Sequence, residues 1–239
     1  GDRLLTVSPQ RLLDTRNGTG GPMVPFGPTD TRQLTVTGAH GIPEGAKAVI
    51  GNVTATQSHG RSWQLVWPAG SSRPTASVLN TDTGLVRPNM VVSATGPNGQ
   101  WSVYNSLGNT ALIFDAVGYF TEEPGSTGKI TVVPSTVVQS ATARPAGSDT
   151  VISVAGSAGL PTSGVAAVFV SVTVTTTSGT GWITAYPGGS VRPNASNLNW
   201  TPGQTTTNMA LVPVGADGTI RIFNSHGASV AVSVLGWTS

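Results

Sequence analysis

Apolar and polar residues alternate along most of this 239-residue chain, and no stretch sustains the helical period of about 3.6 residues. A period of two places successive side chains on opposite faces of a strand. In the first half it predicts strands near Arg11–Arg16, Gln33–Thr37, Ala48–Thr56, Trp63–Trp67, Ser77–Asn80, Met90–Thr95, Gln100–Asn105 and Ala111–Tyr119. Turn signals separate them. Pro97-Asn98-Gly99 and Ala216-Asp217-Gly218 read as hairpin turns, because Asn-Gly and Asp-Gly adopt the positive φ that tight hairpins need. Asn105-Ser106-Leu107-Gly108 and Asn224-Ser225-His226-Gly227 read as the next turn in each half. Turns every 8–12 residues or so indicate an antiparallel sandwich or barrel with almost no helix.

The same features recur at an offset of 119 residues. Arg73-Pro74 returns as Arg192-Pro193, Leu79-Asn80 as Leu198-Asn199, Asn89-Met90 as Asn208-Met209, and Asn105-Ser106 as Asn224-Ser225. Between residues 73 and 108 the two halves share 14 identities in 36 positions without a gap. Upstream, Trp63 matches Trp182 and Pro68 matches Pro187. A repeat of about 110 residues exceeds a solenoid unit and has the size of a whole small β domain. The expected fold is therefore all-β: two tandem homologous antiparallel β-sandwich or barrel domains made by internal duplication. Their expected extents are residues 1–121 and 130–239, joined by a polar, Pro- and Gly-containing linker at 122–129.

Composition narrows the function. Charged residues are only 9% of the chain, against about 25% in an ordinary soluble domain, so 33 Thr and 24 Ser must wet much of the surface. Ten Arg and two Lys give a net charge of +2 but form no basic stripe, so nucleic acid is not an expected partner. No apolar run reaches the roughly 18–20 residues of a membrane-spanning helix. Cysteine is absent, which removes disulfides, thiolate metal sites and a Cys nucleophile. The three histidines do not cluster, and Gly18-Thr19-Gly20-Gly21-Pro22 lacks the Lys-Ser/Thr and the helix of a phosphate loop. No metal or cofactor is expected. A two-barrel serine protease would be of similar size, but no Gly-Asp-Ser-Gly stretch is present.

Several side chains carry candidate chemistry. Trp63, Leu65 and Trp67 share one strand face, as do Trp182, Thr184 and Tyr186. Flat rings on one face can stack against sugar rings, or can simply pack the core. Trp63 and Trp182 are expected in the core. Trp67, Tyr186 and Trp200, which border turns, are expected to bind ligand. Arg73, Asn80 and their counterparts Arg192 and Asn199 are candidate ligand contacts in two equivalent sites, with loop support as the alternative for the whole repeated set, Asn89 and Asn105 included. His59, beside Gly60-Arg61-Ser62, is a candidate binding-loop residue, whereas His40 and His226 read as solvated loop residues. The first half also carries about six extra residues within Asn17–Arg32, the kind of insertion that often brings a specific contact. Finally, Asp14, Arg16 and Asp115 correspond to Gln139, Ala141 and Ser233. Charges lost together indicate a structural cluster on the pairing first and last strands. A glycosidase pair or half a Ca²⁺ site are the alternatives.

The run Pro9-Gln10-Arg11-Leu12-Leu13-Asp14-Thr15-Arg16, then Gly41-Ile42-Pro43, Asn52-Val53-Thr54, Leu79-Asn80, and the closing Asp115-Ala116-Val117-Gly118-Tyr119-Phe120 resemble a repeat common in large exported proteins of actinobacteria. Such repeats are joined there to peptidase, amidase or other cell-wall-facing domains. The second half departs at its opening and at its close, where Ser233 and Trp237 stand. The resemblance implies an extracellular accessory or adhesive module and assigns no catalytic residues. The resulting expectation is a non-enzymatic module at the cell surface that recognises a glycan or cell-wall polymer through loop-edge side chains. The alternative is a structural or adaptor subunit of a secreted assembly, joined by sheet-edge pairing. A hydrolase using Asp14 and Asp115 comes third.

Overall fold

The computed structural model describes residues 2–122 and 128–239, so residues 123–127 of the expected linker lie outside the described residues. The first half forms eight strands: β1 (Arg3–Asp14), β2 (Thr31–Thr35), β3 (Ala48–His59), β4 (Ser62–Pro68), β5 (Leu79–Thr81), β6 (Arg87–Ala94), β7 (Gln100–Asn105) and β8 (Asn109–Thr121). They pair into two four-stranded sheets, β1-β8-β3-β6 and β2-β7-β4-β5. The second half supplies β9 (Ile130–Arg144), β10 (Ser148–Ser153), β11 (Ala167–Thr175), β12 (Gly181–Pro187), β13 (Leu198–Trp200), β14 (Thr206–Pro213), β15 (Thr219–Asn224) and β16 (Ala228–Thr238). Its sheets run β9-β16-β11-β14 and β10-β15-β12-β13. Adding eight to each label of the first pair of sheets reproduces the second pair, so the sequence duplication is a duplication of topology.

By contacts the chain divides into two compact units, one holding Pro9–Glu122 and the other holding Arg3–Ser8 with residues 128–239. Each unit is a sandwich because both of its sheets turn apolar side chains inward. In the second unit Val168, Val170, Val172, Val230, Val232 and Val234 from one sheet meet Ile152, Ile183, Ile220 and Ile222 from the other in a single core. In the first, Trp101 of β7 packs on Phe114 of β8 with ring centroids 4.7 Å apart. The strand positions agree with the alternation in sequence, except that β1 begins at Arg3 rather than near Arg11. β1 continues through Pro9 as an edge strand, the position in a sheet where proline is tolerated. The hairpin signals are realised: Asn98 and Gly99 have φ of 62° and 65°, and Gly218 has φ of 74°. Among the described residues no helix is long and apolar enough to cross a membrane.

Candidate functional site

In β4 the apolar residues lie on both faces, so alternation alone does not say which face is inward. Gln64 and Val66 point into the sandwich; Trp63, Leu65 and Trp67 stand on the outer face of the β2-β7-β4-β5 sheet. Leu65 lies opposite Tyr104 of β7, and together with Trp67 they form a small apolar cluster separate from the main core. The β4–β5 loop folds over it. Trp67 Nε1 donates to the Ser71 carbonyl at 3.1 Å, and the Arg73 guanidinium lies 4.4 Å from the centre of the Tyr104 ring. From the other sheet, Asn89 Nδ2 donates to the Val78 carbonyl at 2.7 Å and tethers the end of the loop. The loop leaves Trp63 uncovered, and 44% of its surface is exposed. Across the ladder, Trp63 is opposite Asn80 of β5, whose Oδ1 accepts from Ser77 Oγ at 3.3 Å.

The second unit builds the same arrangement from its own residues. Trp182 is 43% exposed and lies opposite Asn199, whose Oδ1 accepts from Ser196 Oγ at 2.9 Å. Arg192 sits 3.6 Å over the ring of Phe223, and Asn208 Nδ2 donates to the Asn197 carbonyl at 2.6 Å. Thr184 Oγ1 donates to Ala195 O at 2.7 Å, fixing the loop where Leu65 packs in the first unit. Behind each tryptophan a serine fixes the turn: Ser106 and Ser225 Oγ accept from the backbone N–H of Trp63 and Trp182 at 2.8 and 2.7 Å.

This placement corrects the aromatic assignments. Trp63 and Trp182, expected in the core, are the exposed rings, while Trp67, Tyr186 and Trp200, expected at the ligand, are buried. Trp67 lies beneath the loop, and Tyr186 donates its hydroxyl to Asp149 Oδ1 at 2.6 Å. Burial and that hydrogen bond push the Tyr186 phenol above its ordinary range. Trp200 fills the second core where Gly181 has no side chain; a Cβ there would sit 2.4 Å from the indole ring. Arg73, Asn80, Arg192 and Asn199 border the outer faces, whereas Asn89 and Asn208 hold loops. Asn105 is wholly buried: its Oδ1 accepts from Ser62 Oγ and Gln64 Nε2 at 2.7 and 2.8 Å, and its amide nitrogen faces the carbonyls of Gly27, Leu107 and Gly108. His59 stands exposed at the end of β3 in a groove with Pro25, Gln57, Thr83 and Asn109, not among the residues of the tryptophan face. His40 and His226 are exposed, as lone loop histidines should be. The insertion is pinned by Arg32, which lies 4.2 Å over Phe26, pairs with Asp30 and donates to Val24 and Pro25 carbonyls.

The charge cluster contains one member the sequence reading did not single out, Arg11. Its Nε and Nη2 donate to both oxygens of Asp115 at 2.8 and 2.9 Å, and its Nη1 reaches Asp14 at 3.2 Å. Arg16 grips Asp14 with two bonds of 2.8 and 2.7 Å and adds its backbone N–H at 3.0 Å. Asp14 is 1% and Asp115 4% exposed. The Arg16 guanidinium, helped by the backbone N–H, holds the Asp14 carboxyl below the usual aspartate range. Two closed carboxylates bridged by a guanidinium leave no oxygen open to a substrate or a cation, and the Asp14/Asp115 hydrolase alternative falls on this geometry. Arg11 was legible: it corresponds to Thr136, so four charges rather than three are missing from the second half. Among the described residues no group of three His, Asp or Glu side chains is placed to hold a metal ion.

No protein-family profile matches the chain, and no curated protein matches it. Among solved structures it aligns with the N-terminal CBM22-1-CBM22-2 tandem domain of Xyn10C from Paenibacillus barcinonensis, at 10% identity and a TM-score of 0.27 over 98% of each chain.

Proposed function

We propose that the protein is a non-catalytic, two-site carbohydrate-binding module in which Trp63 and Trp182 are the stacking platforms. One observation carries this reading. The duplication keeps a large aromatic ring at the same outward position in both units, and in both it remains more than two-fifths exposed beside an Asn held by a Ser. An indole exposed to that extent loses hydrophobic stabilisation it would gain by packing. A flat apolar face next to an oriented amide matches a sugar ring, which presents C–H groups on its faces and hydroxyls at its edge. The loops that carry Arg73 and Arg192 are tied down at both ends, so little ordering entropy opposes binding. Each shallow face binds weakly, and a polymer engaging both gains through effective concentration. The setting that suits such a module is the cell surface or cell wall, in keeping with the exported repeats its motifs resemble.

The test is pull-down and affinity electrophoresis with insoluble and soluble polysaccharides, using Trp63→Ala, Trp182→Ala and the double variant. Each single variant is expected to retain weak binding to long polymers and the double variant to lose it, with the circular dichroism of the folded protein unchanged. Full binding by the double variant would remove the outer faces from consideration.

A further inference from the structure

The two faces share a plan but differ in charge. Where β7 carries Ser102, β15 carries Arg221; Tyr186 replaces Trp67, and Asp149 of β10 stands where β2 has Thr31. Arg221 lies directly opposite Tyr186 on one side and Val151 on the other, so it projects from the same outer face as Trp182 and Phe223. Arg192 lies over Phe223, two residues along β15 from Arg221, a separation of about 7 Å on one strand face. The second unit thus carries two arginines on this face, Arg192 over Phe223 and Arg221 two residues along β15, where the first has Arg73.

The carboxylates near them are already engaged. Asp149 accepts the short hydrogen bond from the Tyr186 hydroxyl, and Asp217 Oδ1 accepts from Thr219 N and Oγ1 at 3.0 and 2.8 Å. Neither Arg192 nor Arg221 takes part in an ion pair among the described residues. Arg221 Nε is buried without a hydrogen-bond partner. Arg192 is backed by the Phe223 ring, and a guanidinium outside any ion pair presents a planar donor fork, whose complement is a carboxylate or phosphate.

Resting on the carbohydrate reading above, we propose that the second unit recognises an acidic glycan, with Arg221 and Arg192 binding a uronate carboxylate while the first unit takes neutral sugar. Trp182 and the position of Arg221 are four residues apart along the ladder, about 13 Å. The carboxylate therefore belongs to a residue further along the glycan than the ring stacked on Trp182, and monosaccharides bind poorly.

The experiment titrates the full chain with polygalacturonate, with a neutral galactan and with a poly(glycerol phosphate), at low and high salt. Arg221→Ser, which installs the residue of the first unit, is expected to weaken polygalacturonate binding at least tenfold, to flatten its salt dependence and to leave galactan binding unchanged. Ser102→Arg is expected to strengthen polygalacturonate binding in an Arg221→Ser background. A thermal melt confirms that both variants fold. Polygalacturonate binding that is absent in the parent or unaffected by Arg221→Ser overturns the proposal, and tighter binding of the phosphate polymer than of polygalacturonate overturns the carboxylate assignment. Failure of the carbohydrate reading itself appears separately, as glycan binding that survives Trp63→Ala/Trp182→Ala.

Discussion

Replacing Arg11 with Thr, the residue at the corresponding place in the second half, tests how the first unit holds its buried charges. The substitution removes two hydrogen bonds to Asp115 and one to Asp14. Asp14 keeps its bidentate pairing with Arg16 and its backbone N–H donor, so it loses little. Asp115, only 4% exposed in the parent, loses its guanidinium. Stripping one partner from a buried ion pair costs about 3–5 kcal/mol, mostly the penalty of the charge left behind. The Arg11 side chain is itself 24% exposed, so water enters part of the gap and the lower end, about 3 kcal/mol, applies. The second unit shows the way out, because Thr136 and Ser233 occupy these places without charge. Arg11→Thr/Asp115→Ser is accordingly expected to recover at least about 1 kcal/mol relative to Arg11→Thr, since both charges are then gone. Equilibrium urea unfolding of the parent, the two single variants and the double variant measures the cycle. A loss under about 1 kcal/mol for Arg11→Thr, or strictly additive losses, would refute the account of a mutually dependent set.

Two further outcomes follow from the same inventory of buried polar groups. Asn105→Ala is expected to destabilise by about 2–4 kcal/mol and Asn224→Ala by only about 1 kcal/mol in urea unfolding. Asn105 Oδ1 has two donors, whereas Asn224 Oδ1 has none because Gly181 and Ile183 replace Ser62 and Gln64. Because the Asp14 pKa is lowered on folding, its contribution is complete above the unfolded aspartate value of about 3.9 and drains away as pH falls through the lower folded value. Melting temperatures taken from pH 6 down to pH 2 should therefore fall less steeply for Asp14→Asn than for the parent.

How much of this was legible depends on which signal each feature used. Strand positions and turns needed only alternation and Asn-Gly chemistry, and the tandem organisation needed only the repeat. The direction each strand faces did not follow, because β4 is apolar on both sides. Leu65 and Trp67 face outward yet are buried, since a loop returns to cover them, and period-two patterning records burial rather than sidedness. The duplication does not resolve it either: Gln64 and Val66 correspond to Ile183 and Ala185, and Trp63, Leu65 and Trp67 to Trp182, Thr184 and Tyr186, so each face carries apolar residues in both halves. Trp200 misled for a different reason. It borders a turn, but its counterpart is Thr81, which bonds to Ser58 at 3.1 Å. The second unit fills that volume with an indole against Gly181 where the first uses hydroxyls.

That exchange sharpens the case for the outer faces. Within each sandwich the halves reached different solutions: a hydrogen-bonded set of Ser62, Gln64 and Asn105 in one, Trp200 over Gly181 in the other. Identity between halves is therefore not a condition of folding at these positions. Many of the residues the halves do share have structural roles. Asn89 and Asn208 tether loops, Asn105 and Asn224 meet carbonyls at turns, Ser106 and Ser225 hold a backbone N–H, and Leu79 and Leu198 are buried. Among the shared residues that these roles leave open are Trp63 with Asn80 and Trp182 with Asn199, flanked by Arg73 and Arg192. The arginines cover Tyr104 and Phe223, and Ser77 and Ser196 orient the two amides. Packing accounts for the buried part of each indole and for neither its exposed part nor the oriented amide beside it. The proposed ligand, stacking on the indole and hydrogen-bonding to the amide, would account for both.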